Sequence, residues 1–127
     1  MLKNLDGLVF YVGDVKKTSD FYKQLGFELV KLEKGMAVLK LKEFELHFHD
    51  KNEEDKPEFR EEALAEPRGS GLYIYIEVED ADKYFEFLKK SGVKPSSEQR
   101  DWPWGNREFA LRDPDGYKLV FYQVIEK

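Results

Sequence analysis

The chain of 127 residues has no cysteine. That excludes disulfides, thiolate nucleophiles and Cys-ligated zinc or iron–sulfur sites. It has only two histidines, His47 and His49. It lacks a basic excess: 21 Lys and Arg face 26 Asp and Glu, a net charge of −5. Phosphate contacts need a basic patch, so the expectation is no nucleic-acid partner. No apolar run approaches the roughly 18 residues of a membrane span. The opening MLKNLDGLVFYVGD is broken by acids and does not read as a signal peptide. The expectation is a soluble, cytoplasmic protein with no membrane partner. Aromatics, by contrast, reach 15%. Disordered chains are aromatic-poor, so these rings belong to a packed core, a lined pocket, or both. The length suits a single domain, residues 1–127.

LVFYV at 8–12 is apolar and β-rich and reads as a buried strand. Val15, Thr18, Tyr22 and Leu25 then recur at helical spacing. Asp14 stands at the N-cap and Gly26 at the helix end. Three short strands are expected at about 27–32, 36–41 and 44–49. Residues 51–70 are highly charged and carry two prolines. They read as a solvated linker, with one helical turn near 59–65. The opening pattern returns as a strand, LYIYIEV at 72–78. Its helix carries Ala81, Tyr84, Phe85 and Leu88, with Asp80 as cap and Gly92 as stop. Sliding residues 7–27 forward by 66 gives six identities in 21 positions without a gap. An internal duplication follows. Strands are expected at 96–99, 107–112 and 118–125, the last two joined by the turn Asp113-Pro114-Asp115-Gly116.

The fold class is therefore α+β, two βαβββ modules in tandem, residues 5–50 and 71–126. A curved mixed sheet encloses a cleft, with helices outside. Alternation assigns the faces. Leu8, Phe10 and Val12 point to the helix side, as do Ile74, Ile76 and Val78. Tyr11, Glu45, His47, His49, Tyr73, Tyr75, Glu77 and Tyr122 point to the cleft side. Trp102 and Trp104 sit in a Pro-containing loop before the seventh strand.

A duplicated βαβββ unit resembles the vicinal oxygen chelate superfamily, which contains glyoxalase I, extradiol dioxygenases, fosfomycin-resistance enzymes and bleomycin-resistance proteins. The match covers nearly the whole chain. VGDVKKTSDFYKQLGF looks like the group's first helix, and RDPDGYKLVFYQ like its final hairpin. WPWGNREFALRDPDG at 102–116 is similar to a stretch of the bleomycin-binding proteins, which sequester the drug without chemistry. Metal enzymes of the group hold an ion with His, Gln or Glu from four strands. The resemblance carries those positions to Gly7, His47, Tyr73 and Val120. Gly and Val have no ligating side chain, which implies that the family metal site is absent.

The chosen expectation is a metal-free, cofactor-free, small-molecule-binding homodimer acting by sequestration of a planar or cationic aromatic ligand. The ligand-binding candidates are Tyr11, Glu45, His47, Tyr73, Tyr75, Trp102, Trp104 and Tyr122. No catalytic residue is assigned. Aromatic walls stack on planar rings and attract cations. One alternative is a metal-dependent lyase, isomerase or dioxygenase with an altered site at Glu45, His47 and His49. Another is an interaction module with a vestigial pocket. Aromatics fill cores, the histidines line a rim, and Glu45 and Glu77 set local charge rather than form an acid/base pair.

Overall fold

The computed structural model describes residues 1–126. The chain divides between Arg68 and Gly69 into two compact units.

The first unit runs β1 (Gly7–Val12), α1 (Val15–Leu25), β2 (Glu28–Glu33), β3 (Met36–Leu41), β4 (Phe44–Asp50) and α2 (Pro57–Leu64), with one 3-10 turn at Lys51–Glu53. Its sheet order is β1-β4-β3-β2. β1 runs parallel to β4, and the other pairs are antiparallel. Helix α1 forms where the stripe predicts it. The Asp14 carboxylate accepts from the N–H groups of Lys16 and Lys17 at 3.0 and 3.1 Å. Those donors have no partner inside the helix. The helix stops at Gly26, in the left-handed region at φ 117°, and the Phe27 N–H closes back on the Tyr22 carbonyl. Val15, Thr18, Tyr22 and Leu25 are all buried against the sheet. Tyr22 packs on Phe48 with ring centroids 4.8 Å apart, and Phe48 on Phe10 at 5.4 Å.

Residues 51–68 group with this unit rather than standing apart as a connection. Pro57 opens a two-turn α2, longer than the single turn expected. Ala63 is its one buried residue, and Glu54 accepts a hydrogen bond from the Tyr11 hydroxyl at 2.7 Å. A helix that buries a single alanine leaves no apolar stripe in the sequence.

The second unit repeats the plan as β5 (Ile74–Glu77), α3 (Ala81–Lys90), β6 (Arg100–Asp101), β7 (Asn106–Arg112) and β8 (Lys118–Val124). Its order is β5-β8-β7-β6, with β5 parallel to β8. The Asp80 side chain caps α3 through the Lys83 N–H at 3.0 Å. Phe85 meets Phe109 edge-on at 5.2 Å, and Phe109 meets Phe121 at 5.3 Å. Burial of each such ring contributes about 1.5–3 kcal/mol. The Asp113 carboxylate accepts from the N–H groups of Asp115 and Tyr117, both at 2.9 Å, and Gly116 supplies φ 95°. That pins the hairpin register. The chain is thus α+β with two βαβββ modules in tandem, each with its helix on one face of its own sheet.

Two strand expectations need correction. Residues 96–99 are not a strand, and β6 is instead the two-residue Arg100–Asp101. The Ser97 hydroxyl accepts the Ala110 N–H at 2.8 Å, while the Ser96 N–H reaches the Ala110 carbonyl at 2.9 Å. A side-chain oxygen thus takes a ladder position that a backbone carbonyl would otherwise hold. β5 is shorter than residues 72–78, beginning only at Ile74.

Candidate functional site: an aromatic slot in the second unit

β8 and β7 place Val120 and Ala110 opposite each other on the sheet face turned away from α3. Their small side chains form the floor of a cavity of about 580 Å³. That volume lies within the ordinary range for small-molecule sites, roughly 300–1,000 Å³. Tyr73 and Tyr75 wall it from β5 and its approach; Trp102 and Trp104 wall it from the β6–β7 connection.

The tryptophan wall is built by a tight turn. The Gly105 N–H reaches the Trp102 carbonyl at 3.0 Å and the Trp102 N–H reaches the Asn106 carbonyl at 2.8 Å. Gly105 takes φ 93°, which a residue with a Cβ rarely adopts. This brings the two indoles into a parallel stack, centroids 4.8 Å apart and planes 10° apart. The Arg100 guanidinium lies 3.9 Å above Trp102. Trp104 remains 60% exposed.

Glu108 ties these walls together. It lies on β7, only 7% exposed. Its Oε2 accepts from the Trp104 indole N–H at 2.9 Å, from the Asn106 amide at 3.1 Å, and from the Tyr75 hydroxyl. Burial, then the Glu108 carboxylate, pushes the Tyr75 hydroxyl above its ordinary pKa. The Tyr75 ring also rests on Tyr122, centroids 4.8 Å apart. One carboxylate thus sets the orientation of an indole and a phenol on opposite walls.

Of the eight candidates, Tyr73, Tyr75, Trp102 and Trp104 line the slot, and Tyr122 backs Tyr75. Tyr11, Glu45 and His47 belong to the first unit. The Tyr11 hydroxyl is committed to Glu54, and burial together with that carboxylate raises its pKa to about 12. The Glu45 Oε1 and His47 Nε2 bond to each other at 2.9 Å. His49 meets the Tyr11 ring edge-on at 6.2 Å, and its pKa is lowered by burial first, then by His47, against the pull of Glu54. Sequence reasoning passed over Glu108. Alternation along Asn106–Arg112 carried the signal, since it sets Glu108, Ala110 and Arg112 opposite Phe109 and Leu111.

A divalent ion at the four positions implied by the resemblance does not fit. Val120 offers no ligand atom and Tyr73 lies beneath the Lys118 ammonium, 4.7 Å from its ring centroid. Gly7 cannot be replaced by a ligating residue without rearrangement. A Cβ there would stand 2.6 Å from the Glu45 carbonyl oxygen. Among the described residues no three His, Asp or Glu side chains gather in a way that would hold an ion, so Glu45, His47 and His49 do not form one.

Two βαβββ modules in tandem define a class. Residues 4–121 match the model of the Glyoxalase/Bleomycin resistance protein/Dioxygenase superfamily, and the chain belongs to it. Within it, the bleomycin resistance protein of Geobacillus stearothermophilus is 33% identical over 136 residues, spanning 99% of each chain. A glyoxalase/bleomycin resistance protein/dioxygenase from Nocardioides superposes with a TM-score of 0.78 at 23% identity, over 99% of this chain and 87% of that one. The bleomycin resistance determinant encoded on the transposon Tn5 does so at 0.68 and 22%, over 95% and 98%. At those identities the two structures speak for the fold alone. No helix among the described residues is long and apolar enough to cross a membrane.

Proposed function

We propose that the chain is a metal-free small-molecule-binding protein that acts by sequestration, holding a planar aromatic ligand in the slot of the second unit. The observation that carries this reading is the indole pair Trp102–Trp104, oriented by Glu108 beside a floor of Ala110 and Val120. A flat ring system laid on the open face of Trp104 extends an existing stack. Aromatic pairs contribute about 0.5–1.5 kcal/mol beyond the area they bury. The walls are held in place before binding, so little freedom is lost when the ligand arrives. The 33% identity to a protein named for bleomycin resistance supports the same reading. The proposal extends to a cationic ligand group, for which Glu108 is the acceptor, and to a homodimer in solution. It does not depend on Tyr11, Glu45 or His47, which stand on the first unit's sheet.

Titration calorimetry and tryptophan fluorescence with metal-free bleomycin and with proflavine test it. The expected result is saturable one-site binding with quenched emission, abolished in Trp104→Ala and unaffected by a chelator. Turnover of either compound, or binding by neither, refutes sequestration of planar ligands. Light scattering checks the dimer.

A further inference from the structure

The slot has two chemically unlike ends. Glu108, Ala110 and Arg112 alternate along one face of β7. A strand rises about 3.3 Å per residue, so Glu108 and Arg112 stand roughly 13 Å apart along the floor. Lys118 is the cross-strand partner of Arg112, and the Ala110–Val120 pair lies between the two ends. Arg112, Lys118 and Glu108 line the same cavity, as do Glu98 and Arg100; Arg100 is the cross-strand partner of Glu108, but its guanidinium lies on the Trp102 ring.

At one end, Glu108 is more than nine-tenths buried and faces the cavity. Its three donors all end on Oε2, and no donor among the described residues reaches Oε1. A carboxylate oxygen left open to a cavity accepts an incoming donor, most strongly a charged one. At the other end, Arg112 spends one N–H on the Gly116 carbonyl at 3.0 Å, and the Lys118 ammonium rests over Tyr73. A guanidinium carries five N–H donors, so most of this one's capacity faces elsewhere. A ligand with positive charge at both ends would meet Glu108 well and these two cations badly. A ligand with negative charge at both ends would do the reverse.

We infer that the slot selects a flat bipolar ligand. An amidinium or ammonium group meets Glu108 Oε1, a carboxylate or comparable acceptor meets Arg112 and Lys118, and an aromatic centre spans Ala110 and Val120 between them. This rests on the sequestration reading and narrows its ligand class, replacing a simple planar cation with a molecule charged oppositely at its ends.

Three rigid probes on one biphenyl frame test it by calorimetry: 4′-amidinobiphenyl-4-carboxylate, biphenyl-4,4′-diamidine and biphenyl-4,4′-dicarboxylate. A charge-assisted hydrogen bond corresponds to about tenfold or more in affinity. The bipolar probe is expected to bind about tenfold tighter than either symmetric one. Glu108→Gln should weaken the bipolar and diamidine probes about tenfold and spare the dicarboxylate. Arg112→Gln and Lys118→Gln should weaken the bipolar and dicarboxylate probes and strengthen the diamidine. A diamidine or dicarboxylate that equals or exceeds the bipolar probe overturns the inference and leaves sequestration standing. Equal weakening of all three probes by Glu108→Gln overturns the ligand contact and leaves Glu108 as an organiser of the walls. If Glu108→Gln does not fold, the two cation variants decide alone: unchanged affinities in both overturn the inference. Binding of none of the three, nor of proflavine, removes the sequestration reading itself and this inference with it.

Discussion

Gly7→Ala is the sharpest single perturbation, because it tests why this superfamily member has no ligating side chain at its first strand. The added Cβ would stand 2.6 Å from the Glu45 carbonyl oxygen and 3.3 Å from its carbon. Real Cβ contacts do not come below about 3.0 Å, so backbone must shift, and the obstacle is backbone rather than a flexible side-chain tip. Gly7 is the first of six register pairs between β1 and β4, and β1 is an edge strand. The end of the strand can therefore peel without breaking the whole ladder. Overpacking of this kind costs about 1–3 kcal/mol, and the edge position argues for the lower half of that range. In thermal unfolding this is a fall of roughly 4–8 °C for a chain of this size. Gly26→Ala makes a useful contrast. Nothing lies within 4 Å of its Cβ, and only the strained φ of 117° opposes it. Gly7→His should be at least as unstable as Gly7→Ala. Added nickel or zinc should not raise its melting temperature, because the displaced imidazole cannot sit where a ligand must. Gly7→Ala melting within about 1 °C of the parent, or metal-dependent stabilisation of Gly7→His, would refute the claim that backbone packing closes this position.

Four further outcomes follow from the same structure. Asp14→Ala removes an acceptor serving two helix N–H groups; it should cost about 1–2 kcal/mol by urea unfolding, and a cost near zero would count against the cap. Tyr11 and Tyr84 both have their pKa raised to about 12 in the folded chain, mainly by burial. The folded state then holds protons that the unfolded chain releases near pH 10. Their contribution to stability is complete below that pH and lost between about pH 10 and 12, and ultraviolet titration of tyrosinate should show late-ionising phenols that disappear in Tyr11→Phe and Tyr84→Phe. His49, lowered mainly by burial, should titrate below the usual 6.5 by NMR. The unfolded chain takes up that proton first, so the contribution of His49 is lost as the pH falls through 6.5; a normal or raised value would contradict its packing. Ser97→Ala withdraws the acceptor of the Ala110 N–H at the slot floor. It should cost about 1–2 kcal/mol and weaken ligand binding, whereas Ser97→Thr should retain both.

Much of the architecture was readable because it is periodic. The stripe Val15–Thr18–Tyr22–Leu25 is the buried face of α1, and Asp14 and Asp80 cap as their positions imply. The 66-residue repeat reappears as two sheets of the same strand order. Alternation put Tyr75 on the face of β5 that lines the slot, with Tyr73 on the approach to that strand. These are local properties. A cap, a glycine stop or an apolar period depends on a few neighbours in the chain, and so is written within a short window of sequence.

What escaped was non-local or carried by side chains of ambiguous type. Residues 51–70 read as a solvated connection because charge dominates them; one buried alanine and the Tyr11–Glu54 bond tie the stretch up to Arg68 to the first unit. The strand expected at 96–99 dissolved because Ser97 supplies its own oxygen to the ladder. Composition by itself determined that no thiol chemistry is open to this chain, and the lack of a ligating side chain at Gly7 and Val120 is the sequence feature behind the binding proposal. Only the tertiary structure decided which side chains meet in the slot. Residues 75, 104, 106 and 108 lie on β5, on the turn before β7 and on β7 itself. Their hydrogen bonds converge on one oxygen of Glu108 because sheet pairing brings distant segments to contact distance, and no window of sequence records that proximity.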